Sequence, residues 1–154
     1  MPEPKYYHIH QSPLYELSNK RRLYTILGSN EKSVRYLLSL DKIYIEKLRS
    51  KNGKQRKISD PIYPLKNIQR QFLKLLSRIE TPKYLFSGKK RLCSIDNAKY
   101  HIPCRHLTNH DIKDFYNNCS RAYVFRFFKN KLKMSEDVAW ILTDLTTYKG
   151  SLPV

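Results

Sequence analysis

The chain has 154 residues, 40% of them hydrophobic, with 30 Lys and Arg against 13 Asp and Glu and a formal net charge of +17. That length holds one domain with a core and is too short for two, and the hydrophobic share excludes a disordered chain. No apolar run approaches the roughly 20 residues that span a bilayer, so the charge points to a polyanionic partner, nucleic acid first and an anionic membrane surface second.

The opening MPEPKYYHIH has no apolar stretch of the kind a secretory signal carries. Ser12-Pro13 followed by Leu14, Leu17, Leu23 and Leu27 predicts a helical region stopped by Gly28. Ser29-Asn30 offers caps for a second short helix carrying Val34, Leu37 and Leu38. Two β-capable runs, 43–50 and 55–59, flank Asn52-Gly53, a strong hairpin signal. Lys47, Arg49, Lys51, Lys54, Arg56 and Lys57 load that hairpin with six cations, more than protection of an exposed edge requires.

Pro61 and Pro64 precede an amphipathic helix whose Leu65, Ile68, Phe72, Leu75 and Ile79 form one apolar stripe, with Thr81-Pro82 as its expected end. Lys66, Arg70, Lys74 and Arg78 lie on or beside the opposite face. Ser87-Gly88-Lys89-Lys90-Arg91 reads as a basic loop and Asn97-Ala98-Lys99 as a short helix. HLTNHDIKDFY suggests a short strand running into Asp111 and a turn or helix start from Asp114. Phe125, Phe128 and Leu132 have helical spacing. Ser135-Glu136-Asp137 opens a last helix with Val138, Ile141, Leu142 and Leu145 inward and Gly150 as its stop. The sum is an α+β protein.

Cys93, Cys104 and Cys119 include no CxxC pair and fit the reduced thiols of a cytoplasm better than a disulfide framework. His101, Cys104, His106 and His110 are all zinc-ligand types, but their spacing is not that of a zinc knuckle, and surface histidines are the better reading. Neither a Gly-rich phosphate loop nor a nucleophile elbow is present. Asp111 and Asp114 point to opposite faces of a strand and are poorly placed to share a metal. Asp111 is either one ligand of a two-metal site completed from other segments, or a surface acid paired with a nearby cation while Asp114 caps the following segment.

The motifs, in order, resemble a known family. KNGKQRKISDPIYPLKNIQRQFLKLL is similar to the first block of bacterial reverse transcriptases of the retron and group II intron type: a basic hairpin with R-x-I-x-x-P, then L-K-x-I-Q-R and an apolar helix. SGKKRLCSIDNAKYH resembles their next block, DIKDFYNN the polymerase motif A, and TTYKGSLPV the approach to motif B, while SPLYELSNKRRLYTILG looks like the retron-type N-terminus. Each block alone is a weak signal; four in order at family-like spacing, over nearly the whole chain, are specific.

The resemblance implies the fingers and partial palm of a right-hand polymerase: a helical N-terminal extension over 1–40, a fingers-like region over 41–106 with the β-hairpin, and a partial palm over 107–154, its helices packed on a small incomplete antiparallel sheet. It implies RNA-directed DNA synthesis with Mg²⁺ on a structured non-coding RNA template, from a DNA or RNA primer and deoxynucleotides, with no membrane and with an accessory protein as a further candidate partner. Asp111 matches the catalytic metal ligand, and the Ile112 backbone carbonyl would join it on the metal. Arg56 matches the arginine on the triphosphate of the incoming nucleotide, a role that suits a bidentate guanidinium. Lys51 and Lys54 would assist, and Tyr116 matches the aromatic under the sugar.

Lys47, Arg49, Lys57, Arg70, Lys74, Lys89, Lys90 and Arg91 are the expected nucleic-acid contacts. Three departures stand out. His110 replaces an apolar residue, Leu48-Arg49-Ser50 stands where the family has Ile-Pro-Lys, and no Tyr-x-Asp-Asp occurs. The chain therefore reads as truncated within motif B, able to bind nucleic acid and unable to polymerise alone. The competing expectations are a non-catalytic RNA-binding module, in which Asp111 is dispensable, and a partly unfolded fragment.

Overall fold

The N-terminal leucines do not form the single helix that their spacing suggests. In the computed structural model, which describes residues 6–51, 53–89 and 92–154, a 3-10 turn covers Ile9–Gln11 and α1 (Lys20–Ile26) begins only after Asn19. The break falls at Glu16, whose φ is +53° and whose N–H donates to the Leu132 carbonyl at 2.8 Å. That tertiary bond takes the donor a continuous helix would have used. Leu14 and Leu17 are buried all the same.

The Asn19 side chain caps α1 by accepting from the Arg22 N–H (3.2 Å), and Asn30 does the same for Ser33 (2.9 Å) at the start of α2 (Glu31–Ser39). Gly28, at φ +65°, makes the left-handed turn between these helices. β1 (Tyr44–Lys51) and β2 (Lys54–Pro61) then pair antiparallel from Tyr44↔Pro61 to Lys51↔Lys54, with Gly53 in the turn at φ +73°. Among the described residues this pair is the only sheet.

α3 (Tyr63–Leu76) buries Leu65, Ile68 and Phe72 and carries a proline in its first turn, where the missing N–H costs nothing. It ends before the expected Thr81 because the N-terminal segment intervenes: the Tyr7 N–H donates to the Arg78 carbonyl (3.0 Å), and the Glu80 N–H returns to the Tyr7 carbonyl (2.9 Å). α4 (Ser94–Tyr100) buries no residue; the Asp96 carboxylate accepts from the Cys93 N–H at 2.8 Å at its start.

The strand expected ahead of Asp111 is absent: 106–112 carries no regular structure and is exposed throughout. A strand needs a neighbour to receive its backbone hydrogen bonds, and the described residues place none beside this stretch. α5 (Phe115–Asn118) and α6 (Arg121–Arg126) follow, and Phe127–Lys131 widens to a π turn that carries buried Phe128 inward. α7 (Glu136–Thr146) buries Val138, Ala139, Leu142 and Leu145; Ala139 takes an inner position, while Ile141, expected inward, is half-buried. It ends at Thr146 rather than at Gly150.

The core lies between the helices, with the hairpin as an arm rooted in it. α7 packs against α1, α3 and α6, and Phe72 meets Phe128 edge-on at 5.7 Å. Only the root of the hairpin enters: Tyr44 is buried and lies 4.6 Å from the Tyr148 ring. The Gln69 side chain fastens that root by donating from Nε2 both to the Tyr44 hydroxyl (2.8 Å) and to the Leu145 carbonyl (2.8 Å). Burial pushes the Tyr44 phenol above its ordinary pKa. The arm's outer part projects into solvent, with Leu48 at 72% exposure.

Candidate nucleic-acid interface

Side chains alternate across a strand, so the register assigns each hairpin residue to a face. Tyr44, Glu46, Leu48, Ser50, Gln55, Lys57 and Ser59 share the face whose root meets the core; Ile45, Lys47, Arg49, Arg56, Ile58 and Asp60 share the other. On the first face Glu46 takes both Lys57 (2.7 Å) and Lys149. These two ammonium groups hold its carboxyl below the usual carboxylate range. On the second face Asp60 takes Lys66 of α3 (2.8 Å) and Lys47 (3.0 Å), tethering the arm to the helix.

Hydrogen bonds from Lys66 and Lys47 lower the Asp60 pKa to about 2. A carboxyl held below its unfolded value contributes stability above that value and loses it as pH falls through the folded value. The tether is therefore complete above about pH 4 and opens as pH falls towards 2. An NMR titration of the Asp60 carboxyl is expected to show this low midpoint, and Lys66→Met to move it up towards the ordinary aspartate value.

Arg49 and Arg56 stand directly opposite each other, exposed, and neither joins an ion pair among the described residues. Like charges in a directly opposed pair are unfavourable for the sheet, and a phosphate between two guanidinium groups reverses that sign. The side chains of Lys51 and Lys54, and Lys90 and Arg91 entirely, lie outside the described residues. Arg70 and Lys74 are exposed on α3, with Lys74 donating to the Gln71 side-chain oxygen Oε1 (3.2 Å), and Lys89 donates to the Pro82 backbone carbonyl (3.2 Å).

Asp111 and Ile112 sit in the exposed irregular stretch. Asp114 takes the N-cap position of α5 at φ +50°, without a capping bond from its side chain. Tyr116 is half-exposed and opens on a cavity of about 700 Å³ that is shared with Gln69, Phe72, Phe127 and Leu152. Its neighbour Asn117 lines a smaller cavity of about 240 Å³ with Glu46, Lys57, Ser59 and Lys149. α5 thus sets Asn117 beside Lys57 on the root-side face of the arm, while Tyr116 opens on the separate larger cavity and Arg56 belongs to the other face.

Among the described residues no three His, Cys, Asp or Glu side chains gather to hold a metal. His101, Cys104, His106 and His110 are all exposed. A two-ion phosphoryl-transfer centre needs several convergent carboxylates, and Asp111 alone does not fit it. Glu46, Asp60 and Lys149 are the residues the charge count passed over. One acid on each strand, diagonal across the ladder to a lysine of the other (Glu46 to Lys57, Asp60 to Lys47), was the readable signal that these lysines are neutralised. No helix among the described residues is long and apolar enough to cross a membrane.

By sequence, the chain belongs with the retron-type reverse transcriptases. No family model matches it. The similarity is to Retron Se72 reverse transcriptase of Salmonella heidelberg (strain 579083-10), 36% identical over 104 residues, which is 67% of this chain and 27% of that protein. The chain matches about a quarter of its relative's length.

Proposed function

We propose that the chain supplies the fingers and the first part of the palm of an RNA-directed DNA polymerase of the right-hand fold, with 41–106 as fingers and 107–154 as palm. The assembled enzyme copies a structured non-coding RNA from a DNA or RNA primer, in the cytoplasm, using deoxynucleotides and Mg²⁺. The observation that carries this reading is the 104-residue similarity to a retron reverse transcriptase. Arg49 and Arg56, opposed and unpaired among the described residues, support it, being a ready site for a phosphate.

In this reading Arg56, with Lys51 and Lys54, meets the triphosphate, Tyr116 the sugar, and Asp111 with the Ile112 carbonyl provides one part of the metal's ligand set. The remaining carboxylates come from elsewhere in the assembled enzyme, so the chain alone binds template–primer without extending it. The test is binding to a template–primer duplex with and without Mg²⁺ and the complementary deoxynucleotide, for wild type and Arg56→Ala. Nucleotide is expected to tighten binding by wild type and to do nothing for Arg56→Ala. Indifference of both proteins to nucleotide would favour a non-catalytic RNA-binding module, and primer extension by the chain alone would overturn its incompleteness.

A further inference from the structure

α3 has a second cationic region that the hairpin does not reach. Its C-terminal half and the loop that follows enclose a groove of about 620 Å³, with Arg70, Lys74, Arg78 and Lys89 along it and no acidic residue in its lining. None of these four cations joins an ion pair among the described residues, whereas Lys47, Lys57, Lys66 and Lys149 all do. Arg70 and Lys74 are one helical turn apart, about 6 Å along the axis. The Arg78 guanidinium lies over the Tyr7 ring, 5.1 Å from its centroid, which fixes it at the groove's end.

Between the cations the lining is mostly apolar and open, with Ser77, Thr81 and Ser87 as its uncharged polar residues. Tyr6 is 46% exposed, Leu73 62% and Leu85 39%. A double helix presents phosphates on a convex surface and keeps its base faces stacked inside, so it would leave these apolar groups uncovered. A single strand offers both chemistries at once, phosphates for the cations and unstacked base faces for the aromatic and leucine surfaces. We propose that this groove binds single-stranded nucleic acid, with a base stacked on Tyr6 and the backbone held by Arg70, Lys74, Arg78 and Lys89. The inference rests on the reading above that the chain's partner is nucleic acid, and adds a separate site and strandedness to it.

The test is fluorescence anisotropy on the full chain, with an unstructured RNA of about 12 nucleotides, the same sequence as a duplex, and phosphatidylserine vesicles as competitor. The single strand is expected to bind about tenfold more tightly than the duplex, and Tyr6→Ala to remove about tenfold from the single strand only. Arg70→Gln with Lys74→Gln is expected to reduce the salt slope for the single strand by about 1.4, two phosphate contacts' worth. Leu85→Ser probes the floor independently of Tyr6, whose neighbour Tyr7 pairs with Ile79, and unchanged thermal midpoints establish that the variants fold.

Equal affinity for duplex and single strand, or displacement of RNA by vesicles, would overturn the site. So would single-strand binding indifferent to Tyr6→Ala, Leu85→Ser and Arg70→Gln/Lys74→Gln while lost in Arg49→Gln/Arg56→Gln, an outcome that leaves the polymerase reading standing. Absence of binding to any nucleic acid would remove both.

Discussion

Shortening Leu142 to alanine is expected to destabilise the protein by about 2–5 kcal/mol, the range for truncating a buried leucine in a core that closes only partly over the gap. Leu142 is 1% exposed on the inner face of α7. That helix is the common neighbour of α1, α3 and α6, so a void there loosens three contacts together. Total stabilities of about 5–15 kcal/mol leave little beyond such a loss. A urea midpoint series measures it directly. Leu73→Ala, on the exposed side of α3 at 62% exposure, is the matching control and is expected to change stability by no more than about 0.5 kcal/mol.

Arg56→Glu is expected to move two properties in opposite directions. Opposite Arg49, a glutamate replaces a repulsive cross-strand pair with an attractive one, worth about 0.2–1 kcal/mol of added stability. The same change removes a charge-assisted phosphate contact of about 1.5–3 kcal/mol, a tenfold to hundredfold loss of affinity for template–primer. Thermal midpoint and anisotropy on the same sample check both signs. A variant that gains neither stability nor loses affinity would mean that the arginine pair faces no anion. Gln at this position separates the effects, since it removes the repulsion without creating attraction.

The elements legible in the sequence are those whose causes are local. Asn19 and Asn30 cap α1 and α2, Gly53 turns the hairpin, and the three-four spacing of Leu65, Ile68 and Phe72 marks the buried stripe of α3. What escaped is set by distant partners. The Glu16 N–H is claimed by Leu132, and Tyr7 ends α3 early by pairing with Ile79 and its neighbours. The spacing of Phe125, Phe128 and Leu132 showed a helical region but not the π turn within it, since one inserted residue per turn leaves every side chain plausible.

For the candidate site, counting found the hairpin's cations, and the register decided which of them are free. Lys47 and Lys57 are each paired with an acid, while Arg49 and Arg56 are not, among the described residues. The residues left Asp111 open between a metal ligand and a surface acid, and its assignment, like that of Tyr116, came from the resemblance. Nothing in composition or spacing marks Asp111, and its exposed irregular stretch gives it no partner group among the described residues.

The contacts of the N-terminal segment with the region ahead of α7 also set an order of events in time. Glu16 bonds to Leu132, Leu17 to Ser135, and the Ser135 hydroxyl to the Ser18 carbonyl, 117 residues away in sequence. The hairpin closes on itself within microseconds of leaving the ribosome, and α1 meets α2 early, but its packing against α7 waits until α7 emerges. At translation speeds of about 5–20 residues per second that delay is roughly 6–20 seconds. Through that interval the buried faces of Leu14, Leu17 and Leu23 are open to other chains, so slowing synthesis between residues 20 and 132 is expected to raise aggregation more than slowing it anywhere later.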